Sequence, residues 1–270
     1  MYDGRFNIDM MHDSNGLYRV FAVIGMHPQP KHVLMVGLAS GSWAQVVAND
    51  PLVEDLTIVE INPGYLRLIR QYPEVASLLH NPKVNVIIDD GRRWLVGHPG
   101  RAFDLMVMNT TFHWRAHATN LLSTEFLRLA RQHLNSGGIL FYNTTWSDRV
   151  LATGIAEFPY ALRVEGFLAV SDHSFRLDKE RWTTLLSRYR IDGMPVFDLA
   201  RADQRTQMEK VLHLADELDA PNGNLESRPA LLSHTKGVRL ITDDNMGTEW
   251  DRTESLSLTP VRISPTDSGK

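Results

Sequence analysis

The chain has 270 residues, of which 43% are hydrophobic, and carries a formal net charge of −4 at pH 7. This length allows one domain with a substantial core, and the acidic balance argues against general nucleic-acid binding, which requires a basic face. The absence of cysteine excludes thiol nucleophiles, disulfides and cysteine-ligated metals. Because the sequence shows neither a run of about 18 apolar residues nor a basic-then-apolar leader, we expect a cytoplasmic protein without a membrane partner.

The first 27 residues predict β-hairpin strands. Turn dipeptides occur at Asp3-Gly4 and Asn15-Gly16, and the second precedes a run that contains Tyr18 and Val20. We therefore expect a small N-terminal β region over residues 1–27.

The next segment predicts a strand, a glycine turn, a helix and a second strand that ends in an acid. Val33–Val36 is a short apolar run, Gly37–Gly41 forms a turn, and Ser42 begins a helix. The apolar run Leu56–Val59 ends at Glu60, about 20 residues after the glycines, where a carboxylate can accept hydrogen bonds from both hydroxyls of a ribose. This arrangement predicts a nucleoside-containing cofactor.

The glycine turn separates the candidate cofactors. A dinucleotide site usually has the pattern G-x-G-x-x-G, and a phosphate loop has a lysine after its last glycine. The turn here reads Gly-Leu-Ala-Ser-Gly and has neither feature. S-adenosylmethionine carries no phosphate and therefore fits this turn better, although a purely structural turn would have a similar sequence.

A third strand, Val84–Ile88, is followed by Asp89, Asp90 and Gly91. Ligands bind beyond the carboxyl ends of the strands in an open parallel sheet, so these residues should converge with the glycine turn and Glu60. An acid there could bind the amino group of an adenine. Either aspartate could equally cap the helix that follows.

The remaining pattern predicts the rest of an α/β domain. Strands four and five are expected at Leu105–Met108 and Ile139–Tyr142, so that residues 28–198 form a parallel sheet with helices on both faces. Residues 199–250 predict a helical and acidic extension. Residues 251–270 are rich in Ser, Thr and charge and predict a disordered tail.

Several segments resemble the spermidine synthase family, including its divergent members fused to or derived from membrane proteins. They are DGRFN, HPQPKHVLMVGLASGSWAQ, LTIVEINP, VNVIIDDGRRWL, FDLMVMN and EFLRLARQHLNSGGILFYN. The resemblance implies a Rossmann-like class I methyltransferase fold, a homodimer, and S-adenosylmethionine or its decarboxylated form as cofactor. The implied contacts are Gly37, Ser40 and Gly41 with the amino-acid part, Glu60 with the ribose, and Asp90, flanked by Asp89 and Gly91, with the adenine.

Two departures from the family pattern affect the expected chemistry. Ser40 stands where the family usually has an acid, and Asn109 stands where its fourth strand usually ends in an aspartate. In aminopropyl transfer an acceptor amine with a pKa of about 10 must lose a proton before it attacks, and a carboxylate can take that proton. Asn109 can only accept a hydrogen bond.

The loop after strand four is the predicted place for substrate specificity. The polyamine-holding loop of the family is replaced here by Thr110–Arg115. His113 is a candidate general base beside Asn109, and Arg115 favours an anionic or carboxylate-bearing substrate over a polycation. Thr110 and Trp114 complete this candidate substrate site, although the aromatic residues of the loop could instead cover the core.

A distal acidic segment offers a further candidate site. Its acids Asp243, Asp244 and Glu249 resemble a C-terminal acidic motif of the fused family members and could attract an amine. Asp243 and Asp244 could equally form a turn with their own backbone. The acids and histidines form no convincing set of metal ligands, so no metal is expected.

Together these patterns predict a transferase that alkylates a small-molecule acceptor, by an aminopropyl-type transfer other than standard spermidine synthesis. One alternative is a small-molecule methyltransferase, because methyl transfer can proceed by proximity and orientation with little acid–base help. The other is a catalytically silent nucleoside-binding protein.

Overall fold

The computed structural model describes residues 16–109, 112–221, 223–245, 247 and 249. Ten strands occur in this part of the chain: β1 (His32–Val36), β2 (Asp55–Glu60), β3 (Val84–Ile88), β4 (Phe103–Met108), β5 (Leu134–Asn143), β6 (Tyr160–Val164), β7 (Phe167–Ser171), β8 (Arg190–Ile191), β9 (Met194–Pro195) and β10 (Leu225–Ser227).

Ten α-helices occur in the same described ranges. They are α1 (Leu17–Met26), α2 (Ser42–Ala48), α3 (Gly64–Ile69), α4 (Pro73–Ala76), α5 (Gly91–Gly97), α6 (Thr124–Gln132), α7 (Asp148–Glu157), α8 (Lys179–Ser187), α9 (Ala202–His213) and α10 (Arg228–His234). None of these helices combines the length and the apolarity needed to cross a membrane.

Eight strands form one central sheet in the order β10-β6-β7-β5-β4-β1-β2-β3. Five neighbouring strands of this sheet, β5, β4, β1, β2 and β3, are parallel to one another. The strands β7 and β10 run antiparallel to their neighbours. The chain order 3-2-1-4-5 is that of a Rossmann-like sheet, which confirms the predicted α/β class. The expected strands four and five are confirmed, and β5 begins earlier than predicted, at Leu134.

Helices cover both faces of this sheet because alternate strand residues point to opposite sides. On one side Val33 and Met35 join a buried cluster with α1, α2, α8 and α9. On the other side Leu34 and Val36 join a second cluster with α5, α6, α7 and α10. The parallel strands β1, β2 and β4 are therefore buried on both faces, as their nearly continuous apolar runs indicate, whereas β3 at the edge of the sheet is only partly buried.

The register of the sheet brings the predicted site residues to one edge. Val36 pairs with Val59 on one side and with Met108 on the other, so the residues that follow β1, β2 and β4 lie next to each other. Glu60 pairs with Ile88, which places Asp89 at the same edge.

The N-terminal prediction is wrong for the residues that the structure describes. Leu17–Met26 is a helix and not a hairpin strand, and Gly16 is its N-cap with a φ of 60° instead of part of a hairpin turn. Because α2, α8 and α9 pack around this segment, its residues are apolar on nearly all sides. The segment therefore lacks the alternation of apolar and polar residues that marks a half-exposed strand, and its pattern alone cannot separate a strand from a buried helix. Residues 1–15 of the expected β region lie outside the described residues.

The C-terminal extension is partly integrated into the main domain. Its strand β10 pairs antiparallel with β6, and its helix α10 packs on α7. The helical character expected for this segment is present in α9. The predicted tail over residues 251–270 lies outside the described residues.

Candidate active site

A pocket of about 270 Å³ opens at the carboxyl edge of the parallel strands. Its lining comes from the residues that follow β1, β2, β3 and β4, together with the start of α5 and the segment that leads to residue 121. A pocket at this position matches the general rule for ligand binding in open α/β sheets.

The glycine turn forms one wall of the pocket. Gly37 has a φ of +93°, and its amide donates a 2.9 Å hydrogen bond to the carbonyl of Val59, which ties the turn to the end of β2. Gly37 and Ala39 line the pocket. Ser40 and Gly41, also predicted to bind cofactor, are not among its lining residues, and the Ser40 hydroxyl lies 3.0 Å from that of Ser42.

Glu60 lies in the pocket wall with 4% of its surface exposed. Its Oε2 accepts a 2.6 Å hydrogen bond from the backbone amide of Leu38, and its Oε1 accepts a 2.7 Å bond from the amide of Asn62. These amides fix the carboxylate at the end of β2. Oε2 also accepts a longer hydrogen bond of 3.4 Å from the amide of Ala39. Since each carboxylate oxygen has two lone pairs, Oε1 keeps one that can accept a hydrogen bond from a ligand hydroxyl.

Asp89 and Asp90 both line the pocket but have different partners. Asp89 accepts a 2.6 Å hydrogen bond from Arg93 Nε, and the Arg93 guanidinium holds the pKa of the Asp89 carboxyl below its usual range. Asp90 is the N-cap of α5, since its Oδ1 accepts a 2.8 Å bond from the Arg93 amide. The capping alternative is therefore confirmed for Asp90, and its Oδ2 makes no hydrogen bond with another described residue.

Gly91 allows α5 to begin against the sheet. A Cβ at this position would lie 2.6 Å from Cγ1 of Val36, which is closer than real Cβ atoms come to other heavy atoms. Both residues line the pocket. The start of α5 can come this close to β1 because position 91 has no side chain.

The side of the pocket nearest β4 and β5 carries amides instead of carboxylates. Asn109 lines the pocket, and its Oδ1 accepts a 3.4 Å hydrogen bond from Nδ2 of Asn143 at the end of β5. The acids that line the pocket all follow β2 and β3. The two ends of the pocket therefore differ in charge.

His113 is not among the lining residues of this pocket. It is 2% exposed, and both its backbone amide and its Nδ1 lie in hydrogen-bond contact with the hydroxyl of Thr145. These contacts connect the loop after β4 to the loop after β5. The geometry gives His113 a bridging position beside the pocket, whereas the sequence predicted a catalytic base in it.

The other predicted substrate residues lie apart from the pocket lining. The ring of Trp114 stacks on Phe112 with centroids 5.4 Å apart, and the guanidinium of Arg115 lies 5.6 Å from the Trp114 ring centroid. Arg115 forms no ion pair with any acid that the structure describes. The predicted contact at Thr110 lies outside the described residues.

The distal acids have structural contacts. Asp243 accepts hydrogen bonds of 2.8 and 2.5 Å from the two terminal nitrogens of Arg92 and a 2.6 Å bond from the hydroxyl of Ser123. Arg92 thereby holds the pKa of Asp243 below its usual range. Asp244 is exposed, and neither acid lines the pocket, so the structure does not bring this pair to the site.

Ile61 and Tyr65 line the pocket but were not predicted as site residues. Ile61 is 70% exposed and directly follows Glu60, and Tyr65 lies on α3. His117, which lies in the loop predicted to set substrate specificity, four residues after His113, also lines the pocket. Ile61 could have been found from the sequence, because it is an apolar residue directly after the acid that ends β2. The described residues contain no group of three potential metal ligands.

Comparisons with known proteins agree with this geometry. The model of the spermine/spermidine synthase domain matches residues 20–153. The chain is 31% identical over 146 residues to a polyamine aminopropyltransferase of Desulforudis audaxviator, an alignment that covers 51% of this chain and 52% of that protein. It is 32% identical over 152 residues to a polyamine aminopropyltransferase of Mycobacterium tuberculosis, covering 51% of this chain and 29% of the relative. The match thus spans about half, or less, of the length of these relatives.

Solved structures show the same fold. A spermidine synthase in complex with the transition state analogue AdoDATO superimposes with a TM-score of 0.55 at 19% identity, over 76% of each chain. The spermidine synthase of Thermotoga maritima gives a TM-score of 0.52 at 18% identity, over 77% of this chain and 74% of the other.

Proposed function

The chain belongs to the spermine/spermidine synthase family through residues 20–153, and we propose on this premise that it transfers an aminopropyl-type group to a small-molecule acceptor. The proposed donor is decarboxylated S-adenosylmethionine, with S-adenosylmethionine itself as the second possibility. The curated relatives named above are polyamine aminopropyltransferases, and one neighbouring structure holds a transition state analogue, which supports this donor class.

One observation carries the proposal: Glu60 and Asp90 line the same pocket from neighbouring strand ends. Glu60 is fixed by three backbone amides and keeps a lone pair on Oε1 for a ribose hydroxyl. Asp90 uses one oxygen to cap α5, which leaves the other for an adenine amino group. Ile61, which is 70% exposed, offers an apolar surface that a purine ring would cover.

The donor supplies an electrophilic sulfonium, and the protein selects among the three adjacent carbons by placing the nucleophile. Attack on the propyl carbon releases methylthioadenosine, because the electron pair of the broken C–S bond stays on sulfur. Attack on the methyl carbon of S-adenosylmethionine releases S-adenosylhomocysteine, and the same attack on the decarboxylated donor releases the decarboxylated form of that product. The position of the acceptor relative to Asn109 decides between these products.

We further propose that the acceptor is not a simple polycation. The pocket has no carboxylate at its β4 side, where Asn109 lies. Arg115 lies outside the lining but directly precedes the lining residue Ala116, and it has no acidic partner in the described part of the chain. It would therefore repel a second ammonium group of an acceptor that extends beyond the pocket. An amine that also bears a carboxylate satisfies both features.

Product analysis tests the function directly. The protein is incubated with each of the two sulfonium donors and with a panel of primary amines that includes 1,4-diaminobutane and its matched analogue 4-aminobutanoate, and the nucleosides are identified by mass spectrometry. We expect methylthioadenosine as the product, formed faster with 4-aminobutanoate than with 1,4-diaminobutane.

S-adenosylhomocysteine as the product would identify a methyltransferase, which is the second candidate function. The uncharged Asn109 favours this candidate, because methyl transfer needs little acid–base help.

The donor site is tested by binding. In Glu60→Gln we expect the Kd for decarboxylated S-adenosylmethionine, measured by calorimetry, to rise roughly 10- to 100-fold, since hydrogen bonds to a charged group are worth about 1.5–3 kcal/mol. Glu209→Gln on the exposed face of α9 is the matched control and should bind like the unchanged protein. Equal affinity in both variants would contradict the assignment of Glu60. Tight donor binding without any product would instead identify the silent alternative.

A further inference from the structure

We propose that His117 is the residue that takes the proton from the acceptor amine, a role for which the end of β4 offers only the neutral Asn109. This inference rests on the proposed function and names the base of that same site. His117 lines the pocket together with Asn109, Glu60 and Asp90.

The two histidines of this segment differ in access. His113 is 2% exposed and is held by Thr145 outside the pocket lining. His117 is exposed, and its ring nitrogens form no hydrogen bond with any residue that the structure describes. Imidazole is the side chain best suited to exchange a proton near neutral pH. His117 is therefore the accessible imidazole among the described residues that line this pocket.

The backbone at His117 is held in an uncommon conformation. Its φ is 64°, in the left-handed region that costs free energy for a residue other than glycine, and such residues concentrate at functional sites. The next turn is fixed from the C-terminal segment: Glu249 Oε1 accepts a 3.1 Å hydrogen bond from the amide of Thr119 and a second one from its hydroxyl. Glu249 is thus a positioning residue, because it fixes Thr119 and with it the segment of the pocket wall that contains His117.

The charged groups around His117 come from several elements. Glu60 faces the pocket from β2, Asp89 and Asp90 face it from the end of β3, and Tyr65 faces it from α3. On its own segment Arg115 lies two residues before His117, and Glu249 lies behind Thr119. The carboxylates favour the imidazolium that proton transfer creates, whereas Arg115 and the donor sulfonium oppose it until the sulfonium is discharged.

The proposed step is balanced within the acceptor, the donor and His117. Neutral imidazole accepts one proton from the acceptor ammonium, which frees the lone pair of the amine nitrogen. This lone pair forms a bond to the propyl carbon, and the C–S bond breaks with its electron pair on sulfur. The products are the alkylated amine, which still carries a positive charge, methylthioadenosine and imidazolium, which returns its proton to water.

The variant His117→Asn removes the basic nitrogen and keeps the backbone conformation, because asparagine tolerates the left-handed region. With decarboxylated S-adenosylmethionine and the best amine of the panel, we expect kcat/KM to fall about 10²- to 10⁴-fold, the usual contribution of a general base. The donor Kd should stay within about twofold, because the adenosine contacts are unchanged. Added imidazole should restore part of the rate, which a purely structural role of His117 would not allow.

The pH profile supplies the second readout. The pH dependence of kcat/KM should differ between the unchanged protein and His117→Asn. The variant has no imidazole to accept the proton, so its activity should follow only the deprotonation of the acceptor amine. His32→Asn is the matched control, since His32 is exposed at the amino end of β1, at the opposite edge of the sheet.

The outcomes separate this inference from the proposed function. The role of His117 would be overturned if His117→Asn still forms methylthioadenosine with unchanged kcat/KM and an unchanged pH profile. That result would leave the proposed function intact. A donor Kd that rises as much as kcat/KM falls would overturn it as well, because the residue would then act in binding. No methylthioadenosine from the unchanged protein with any amine of the panel would overturn the proposed function and this inference together.

Discussion

Gly91 determines how closely the first turn of α5 approaches β1. A methyl group at this position would lie 2.6 Å from Cγ1 of Val36, whose side chain is 7% exposed within the core cluster on that face. Because Val36 and Gly91 both line the pocket, a shift of either residue changes the shape of the pocket.

We predict that Gly91→Ala destabilises the fold by about 1–3 kcal/mol, the usual cost of overpacking a filled core. The same variant should weaken the binding of decarboxylated S-adenosylmethionine. Urea unfolding and calorimetric titration measure the two effects.

Gly97→Ala in the same helix is the matched control. A Cβ at position 97 meets no atom within 4 Å, and alanine favours a helix over glycine by about 0.5–1 kcal/mol. This variant should be neutral or slightly more stable and should bind donor normally. Equal effects of the two substitutions would show that helix propensity, and not the contact with Val36, controls position 91.

At the scale of elements, the C-terminal segment holds the pocket wall in place. Asp243 bridges Arg92 on α5 and Ser123, which is the N-cap of α6, through three hydrogen bonds. Glu249 holds Thr119, and Arg149 on α7 donates a 2.5 Å hydrogen bond to the carbonyl of Gly247. Asp243, which the sequence suggested for substrate binding, thus connects elements around the pocket.

We predict a favourable coupling of about 0.5–1 kcal/mol between Arg92 and Asp243 in a double-mutant cycle of alanine variants, measured by urea unfolding at pH 7. Because Arg92 lowers the pKa of Asp243, this contribution is present above the unfolded-chain pKa of about 3.9 and is lost as the pH falls through the lower folded value.

The exposed pair Arg201–Asp203 is the comparison for this cycle. Its side chains are 60% and 65% exposed, so solvent screens the interaction and no coupling should be measurable. If the two cycles give coupling free energies of equal size, the Arg92–Asp243 pair stabilises the fold no more than an exposed ion pair does. The contacts of Asp243 with α5 and α6 would then not strengthen the interaction.

The sequence predicted the elements with strong local signals. The glycine turn, the acid that ends β2 and the acid pair after β3 depend on short segments, and the parallel register then brings them together. The sequence marked the loop after β4 but could not predict which of its histidines lines the pocket. That depends on the contact of His113 with Thr145 and on the contact of Thr119 with Glu249, which is more than 100 residues away. The helix at Leu17–Met26 was missed for a similar reason, since the helices that bury it come from distant parts of the chain.

At the scale of the whole molecule, the two edges of the sheet carry different kinds of acid. The carboxyl edge holds Glu60 and Asp90 around the open pocket. Near the opposite edge, Asp50 precedes β2, is fully buried, and leaves its Oδ2 without a hydrogen bond among the described residues. Burial raises the pKa of Asp50 to about 6, although the Leu52 amide donates a 2.6 Å hydrogen bond to Oδ1.

Asp50 should make the stability of the entire fold depend on pH. Its pKa is about 6 in the folded chain and about 3.9 in the unfolded chain, so the folded state holds the extra proton between these values. The free energy of unfolding should therefore fall as the pH rises through this window and level off above it, by about 2–3 kcal/mol for a shift of this size.

Asp50→Asn keeps an oxygen for the Leu52 amide and replaces the buried, ionisable oxygen by a neutral amide group. Relative to the unchanged protein, we expect this variant to gain stability as the pH rises from about 4.5 to 7, measured by urea unfolding at each pH. Asp192→Asn at an exposed turn is the control and should give a constant difference. Since Asp50 lies away from the pocket, donor binding at pH 7 should be equal in all three proteins. A difference between Asp50→Asn and the unchanged protein that does not vary with pH would mean that water reaches this carboxyl in the folded chain, and that the amino edge of the sheet is less tightly closed than its buried residues indicate.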